Sequence, residues 1–157
     1  MDAAAKMDSR TPVPLVPMMA EHQKQQMRNH LAAVQEIVAA LAKNDFPRVE
    51  EATKKIGYSD SMAQMCTHMG AAAPGFTPTA ISFHKTADRI GVAAKKKDRA
   101  AVLAALDATL STCVACHSAY KQQVVDEATW TKLTSMAPPA ADHASGDHSS
   151  CPMMQAH

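Results

Sequence analysis

Glycine and aromatic residues are scarce in this chain of 157 residues, which has five glycines, three phenylalanines, two tyrosines and one tryptophan. So few strand-favouring rings and turn-forming glycines argue against a sheet-rich fold, and the many alanines favour helix. Strong charge of either sign is also missing. A formal net charge of +1 gives no reason to expect nucleic acid or a lipid surface as a partner. No uninterrupted apolar run approaches the roughly 20 residues needed to cross a bilayer, so no membrane span is expected. There is no phosphate-binding loop, Ser/His/Asp order or paired-carboxylate arrangement, and the acidic residues are scattered over what should be solvated helix faces. These absences make an enzyme the less expected class. A hydrophobic content of 46% suffices for the core of about one domain.

Three prolines, Pro12, Pro14 and Pro17, deny regular helix hydrogen bonding near the start, so residues 1–17 read as a flexible lead-in. A first helix is predicted from about Met18 to Lys43, with Met27, His30, Val34, Ile37 and Leu41 recurring at spacings of three and four along one stripe. Asp45 is a plausible N-cap and Pro47 is tolerated in the first turn of a second helix that carries Val49, Ala52 and Ile56. After Gly57, a shorter helical piece from Ser59 to Met69 places Met62, Met65, Cys66 and Met69 on a common face. The run from Gly70 to Gly75 is a loop. Thr77-Pro78 then opens a third helix, with Phe83, Ala87, Ile90 and Ala94 facing inward, which ends at Lys95-Lys96-Lys97. His84, following Phe83, reads as a surface histidine. Asp98 caps a fourth helix, predicted to reach Ala128, whose buried stripe is Val102, Leu106, Leu110 or Thr109, Cys113, His117, Tyr120 and Val124. The expected fold is an all-α antiparallel four-helix bundle over residues 18–130, followed by a disordered tail at 131–157. Trp130 should close the bundle near its end.

The stretch Cys113-Val114-Ala115-Cys116-His117 carries the chemistry. Two cysteines two residues apart, followed at once by histidine, form the attachment signature for c-type haem: the thiols add to the haem vinyl groups and the imidazole binds iron. A zinc ribbon needs a second ligand pair at matching spacing, which is missing. A redox dithiol belongs at a helix start after a strand, whereas this pair falls late in a long helical run. Attachment of haem c takes place outside the cytoplasm, so periplasmic location is expected, with any export signal already removed, since the N-terminus lacks the apolar core of a signal peptide.

The run from Phe83 through Lys121, including FHKTAD, DRAAVLAAL and CVACHSAYK, resembles the C-terminal half of the c′-type cytochromes, whose motif reads Cys-x-x-Cys-His-x-x-Tyr/Phe-Arg/Lys. Cys113, Cys116, His117, Tyr120 and Lys121 each match it. The resemblance implies one covalent haem with His117 as proximal ligand, and a function in electron transfer with a redox partner protein or in binding a small gas such as NO or CO. Dimerisation through the first two helices is common in the family. By the same resemblance Tyr120 and Lys121 support the haem edge or its propionates. Low-spin members take a methionine from the first helix as sixth ligand, followed by apolar residues three, seven and ten positions on. Met27, His30, Val34 and Ile37 reproduce that spacing and make Met27 the first choice. His30 is the departure from the pattern and would give bis-histidine ligation; Met19, His22, Met65 and Met69 belong to the same end. An unligated distal face would leave the iron open to diatomic gases. A peroxidase-like activity would further require His30 or His22 as a distal acid or base.

A reading from another class rests on the remaining soft ligands. Met62, Met65, Cys66, His68 and Met69 form one cluster, and the tail carries His143, His148, Cys151, Met153, Met154 and His157. Thioether, thiolate and imidazole are ligands that copper favours, so copper binding or handling is an alternative role. The methionines equally well plug the bundle end beside the haem. Cys66 and Cys151 can pair with each other or remain metal ligands.

Overall fold

The computed structural model describes residues 8–137, which form six helices and two short strands. Helix α1 spans Pro17–Ala42, α2 Phe46–Lys54, α3 Asp60–Met69, α4 Phe76–Lys95, α5 Arg99–Ala119 and α6 Glu127–Met136. Strands β1, Thr11–Leu15, and β2, Tyr120–Val124, complete the set.

The helix boundaries follow local chemistry. The carboxylate of Asp45 accepts the backbone N–H of Arg48, Ser59 Oγ that of Met62, Asp98 that of Ala101 and Asp126 that of Thr129. Each bond satisfies one of the donors that a helix start leaves without an internal partner. Asn44 and Lys97, both at φ 56°, take the left-handed turn that ends α1 and α4. Helix α4 starts one residue before Thr77, with left-handed Gly75 at its N-cap.

Helices α1, α2, α4 and α5 enclose the main core: Ile37, Val49, Ile56, Ile90 and Val102 are wholly buried. Burial of each such side chain stabilises the fold by about 1.5–3 kcal/mol. The residues expected to face inward, Val49 and Ala52 of α2, Ile56 in the turn just after it, and Phe83, Ala87, Ile90 and Ala94 of α4, are all buried. On α5 the buried stripe runs through Val102, Leu106 and Thr109, and Leu110 is exposed. By length and a mean hydropathy of 1.5, α5 also meets the requirement for a membrane-crossing helix. The expectation of no such segment considered uninterrupted apolar runs alone. Here the inward stripe of α5 packs into the main core.

Three elements correct the sequence reading, the first being α6, which runs to Met136 into the stretch expected to begin a disordered tail at residue 131. Thr11–Leu15 is a strand, not a flexible lead-in, and the fourth helix ends at Ala119 rather than Ala128. Tyr120 turns to φ −126°, ψ 150°, and β2 pairs in parallel with β1, Thr11 opposite Tyr120 and Leu15 opposite Val124. The carbonyl of Leu15 accepts the N–H of Val125 at 2.9 Å. Since alternate residues of a strand address the partner, Thr11, Val13 and Leu15 face β2, and Pro12 and Pro14 lack N–H groups where none is needed. Val13 and Leu15 are buried in a second, smaller core with Ala20, Met69, Ala73 and Phe76. That burial, together with the strand preference of Tyr120, Val124 and Val125, outweighs continuation of the helix.

Candidate functional site

Between the two cores lies a cavity of about 870 Å³, near the upper end of ordinary ligand sites of roughly 300–1,000 Å³. Cys113 packs against the main core, and Cys116 and Tyr120 against the smaller one, so the cysteine pair spans the junction. The cavity brings together Cys113, Cys116 and His117 from α5, Met27 and His30 from α1, Met62, Met65, Cys66 and Met69 from α3, and Phe76 and Phe83 from α4. Residues far apart in sequence thus line one space.

The motif itself is set by helix geometry. Cys113 and Cys116, three residues apart, share one side of the last turns of α5, and His117 follows one turn after Cys113. His117 is exposed at the rim, not buried on the core stripe as expected, because α5 ends two residues later and little packs beyond it. Its Nδ1 lies 2.8 Å from the carbonyl of Cys113. A carbonyl can only accept, so Nδ1 carries the proton and Nε2 presents a lone pair, the arrangement a metal-binding imidazole requires. Burial pushes the thiols of Cys66, Cys113 and Cys116 upward, and Cys66 is raised further by its neighbour Cys116. Among the described residues none of the three is paired.

His30 lines the same cavity from α1. Its Nε2 is shut off from solvent and has no hydrogen-bond partner. Such an orphaned buried group costs about 1–3 kcal/mol, so it is informative where it occurs. The ring stacks on Phe83 at 4.9 Å between centroids and meets His84 edge-on at 5.4 Å. Burial, with His84 nearby, holds its pKa down at about 4. His30 is therefore neutral at physiological pH. Met27 also lines the cavity, at 39% exposure.

Several assignments are revised by position. His84 is buried, not a surface residue: Nδ1 reaches the carbonyl of Ile56 at 2.8 Å, and burial lowers its pKa. The reason is that α4 packs against both α2 and α5, so its buried arc is wide enough to take in the residue beside Phe83. His68 does not join Met62, Met65, Cys66 and Met69. It lines a separate surface cleft and meets the indole of Trp130 at 5.2 Å. Trp130 accordingly covers α3 from α6 and does not line the main cavity. Tyr120 and Lys121 do line it, with donors already engaged: Tyr120 Oη donates to the carbonyl of Pro74 at 3.0 Å, and Lys121 Nζ to that of Asp8 at 2.8 Å. The tail residues His143, His148, Cys151, Met153, Met154 and His157 lie outside the described residues.

Other contributors escaped the sequence reading. Arg10 donates to the carbonyl of His117 at 3.2 Å and is ion-paired with Asp8 at 2.7 Å. Arg10 holds the Asp8 carboxyl well below the usual carboxylate range. Gln122 donates to the carbonyl of Ala20 and to the side chain of buried Gln23. Gln23 sits four residues before Met27 on the α1 stripe, the one sequence signal that could have flagged it. Arg10, Lys24, Arg28 and Lys121 face the cavity against a single carboxylate, Asp8. This balance suits a ligand with an apolar body and anionic edge groups.

Comparison with known protein families, with curated proteins and with solved structures finds no match to this chain.

Proposed function

We propose that the chain is a monohaem c-type cytochrome of the four-helix-bundle kind, with α1, α2 extended by α3, α4 and α5 as the four helical legs. The observation that carries this is the pairing of the Cys113/Cys116/His117 motif with a large, mainly apolar cavity, His117 Nδ1 being tied to its own helix so that Nε2 is left to coordinate. Cys113 and Cys116 would anchor haem c through thioether bonds, and His117 would be the proximal iron ligand. The chain's residues fit the group: an apolar chamber, unpaired thiols, a poised imidazole and cationic rim residues for two propionates. When bound, haem supplies one-electron redox chemistry at iron.

The residues support an electron carrier more than a gas sensor. Met27 and His30 line the same chamber from α1, and either would offer a sixth ligand; an iron ligated on both sides would change little on electron transfer. Phe76, Phe83 and the α3 methionines give the chamber an apolar lining, and the Arg10–Asp8–Lys121 group secures the strand that follows the motif. Val114 is exposed on the outer side of α5, where a redox partner protein can approach the attached edge. Haem c attachment implies a periplasmic setting for the mature protein. Copper handling has weaker support, because its five-residue ligand set is divided between two clefts and four of its members line the haem chamber.

The test is mass spectrometry of the denatured protein, purified from cells with a c-type maturation system, together with oxidised and reduced absorption spectra. One covalent haem, lost in the Cys113→Ala/Cys116→Ala double variant, is expected. A low-spin spectrum supports the electron carrier. Five-coordinate, high-spin iron that takes up NO or CO would replace it with the gas-binding function, and absence of covalent haem would overturn the proposal.

A further inference from the structure

We infer that His30, not Met27, supplies the sixth iron ligand, so that the haem is closed by two histidines. The inference rests on the cytochrome reading above and deepens it. The sequence spacing points to Met27, because a methionine there is followed by residues at the intervals seen in low-spin members of the resembling family. Three structural observations point one turn further along α1.

The first is the state of the donor atom. Among the described residues His30 Nε2 has no protein hydrogen-bond partner, and its ring lines the chamber that also receives the cysteine pair and His117. Buried imidazole nitrogens ordinarily find a partner, so one without any, on a ring at the wall of a cavity, points to a ligand that the cavity would hold. The second is rigidity. His30 is held face-on by Phe83, at an interplanar angle of 28°, and edge-on by His84 at 83°. His84 is fixed in turn by its 2.8 Å contact with the Ile56 carbonyl. A ligand ring locked by its neighbours is preorganised for coordination.

The third is the contrast with the alternatives. Met27 is 39% exposed and has a flexible thioether, the type of side chain that adapts to a gap. His22 and Met65 are exposed as well, and Met69 is committed to the smaller core. Only His30 combines a buried, unpartnered donor atom with a fixed ring. Two imidazoles would give the iron a lower reduction potential than a methionine and histidine pair, which raises it.

The experiment uses the haem-loaded full chain and reads electron paramagnetic resonance and near-infrared absorption of the oxidised protein. The unmodified protein is expected to be low-spin without the Fe–S(Met) charge-transfer band. Met27→Leu should leave both spectra unchanged, whereas His30→Ala should become high-spin and return to low-spin on addition of imidazole. The Fe–S(Met) band in the unmodified protein, a high-spin unmodified protein, a Met27→Leu variant turned high-spin, or a His30→Ala variant still low-spin would each overturn the assignment. If His30→Ala does not accumulate, the unmodified and Met27→Leu spectra decide it. A chain whose denatured mass lacks one haem fails at the earlier step instead, and removes the cytochrome reading along with the ligand.

Discussion

Truncation of Leu15 measures whether the β1–β2 clasp is part of the fold or an ornament on it. Leu15 is fully buried in the smaller core, beside Val13, Ala20, Met69, Ala73 and Phe76. Leu→Ala at such a site removes the transfer energy of the lost methyl groups and leaves a cavity, costing about 2.7–5 kcal/mol. This core lies at one end of the molecule and beside a large chamber, so partial collapse should bring the cost towards the low end, about 3 kcal/mol. For a domain of this size, about 3 °C of melting temperature accompanies each kcal/mol, so Leu15→Ala should lower the midpoint by roughly 10 °C. The assay is thermal unfolding of the haem-free protein followed by far-ultraviolet circular dichroism, with hydrogen exchange at Val125, whose N–H donates to the Leu15 carbonyl. Pro12→Ala is the control: its nitrogen faces away from β2, and the change should cost less than about 1 kcal/mol. A Leu15→Ala midpoint within about 2 °C of the unmodified protein, with Val125 exchanging as an open amide, would refute the clasp.

Gly75 sits at φ 77°, and an added Cβ would lie 2.7 Å from Tyr120 Oη. Gly75→Ala should therefore cost about 1–3 kcal/mol through backbone strain, loosen the Tyr120 bond to Pro74, and show both as a lowered urea midpoint and faster exchange in β2. Asp126 caps α6, and its bonds to Thr129 lower its pKa. A carboxyl with a depressed pKa stabilises above its unfolded value and loses that contribution as pH falls through the folded one. Below the ordinary carboxylate range α6 should fray, and the fluorescence of Trp130, the single tryptophan, should shift to the red. Asp126→Ala should show the shifted emission at neutral pH, and unchanged emission there would disprove the capping role.

How far the sequence could be read depended on the range of the forces involved. Helix starts at Asp45, Ser59 and Asp98 were legible because capping is settled within three residues. The stripes of α2 and α4 were legible because burial repeats with the helical period. The end of α5 was not. Tyr120–Val124 continues an apolar helical pattern, and its extended form depends on a partner strand more than a hundred residues earlier in the chain. Pro12 and Pro14 concealed that partner, since prolines exclude a helix but do not exclude an edge strand whose donors face outward. His84 was misplaced for a related reason: one stripe per helix is the rule for a helix with one neighbour, and α4 has two large ones.

The same distinction governs the candidate site. The haem motif is local, so Cys113, Cys116 and His117 were readable from five consecutive residues. The distal wall is assembled from α1, α3 and α4, and no sequence spacing can rank Met27 against His30 when both fall on one stripe. What separates them is whether each donor atom finds a partner after folding, and that depends on Phe83 and His84 from another helix. His68 shows the converse. Its sequence neighbours Cys66 and Met69 face the chamber, yet at two residues from one and one from the other it lies on the opposite side of α3, against Trp130. A cluster in sequence becomes a ligand set only when its members share a helix face, and here four of the five do. Those four line the chamber proposed for haem, so a bound haem and a copper ion held by them would compete for one space.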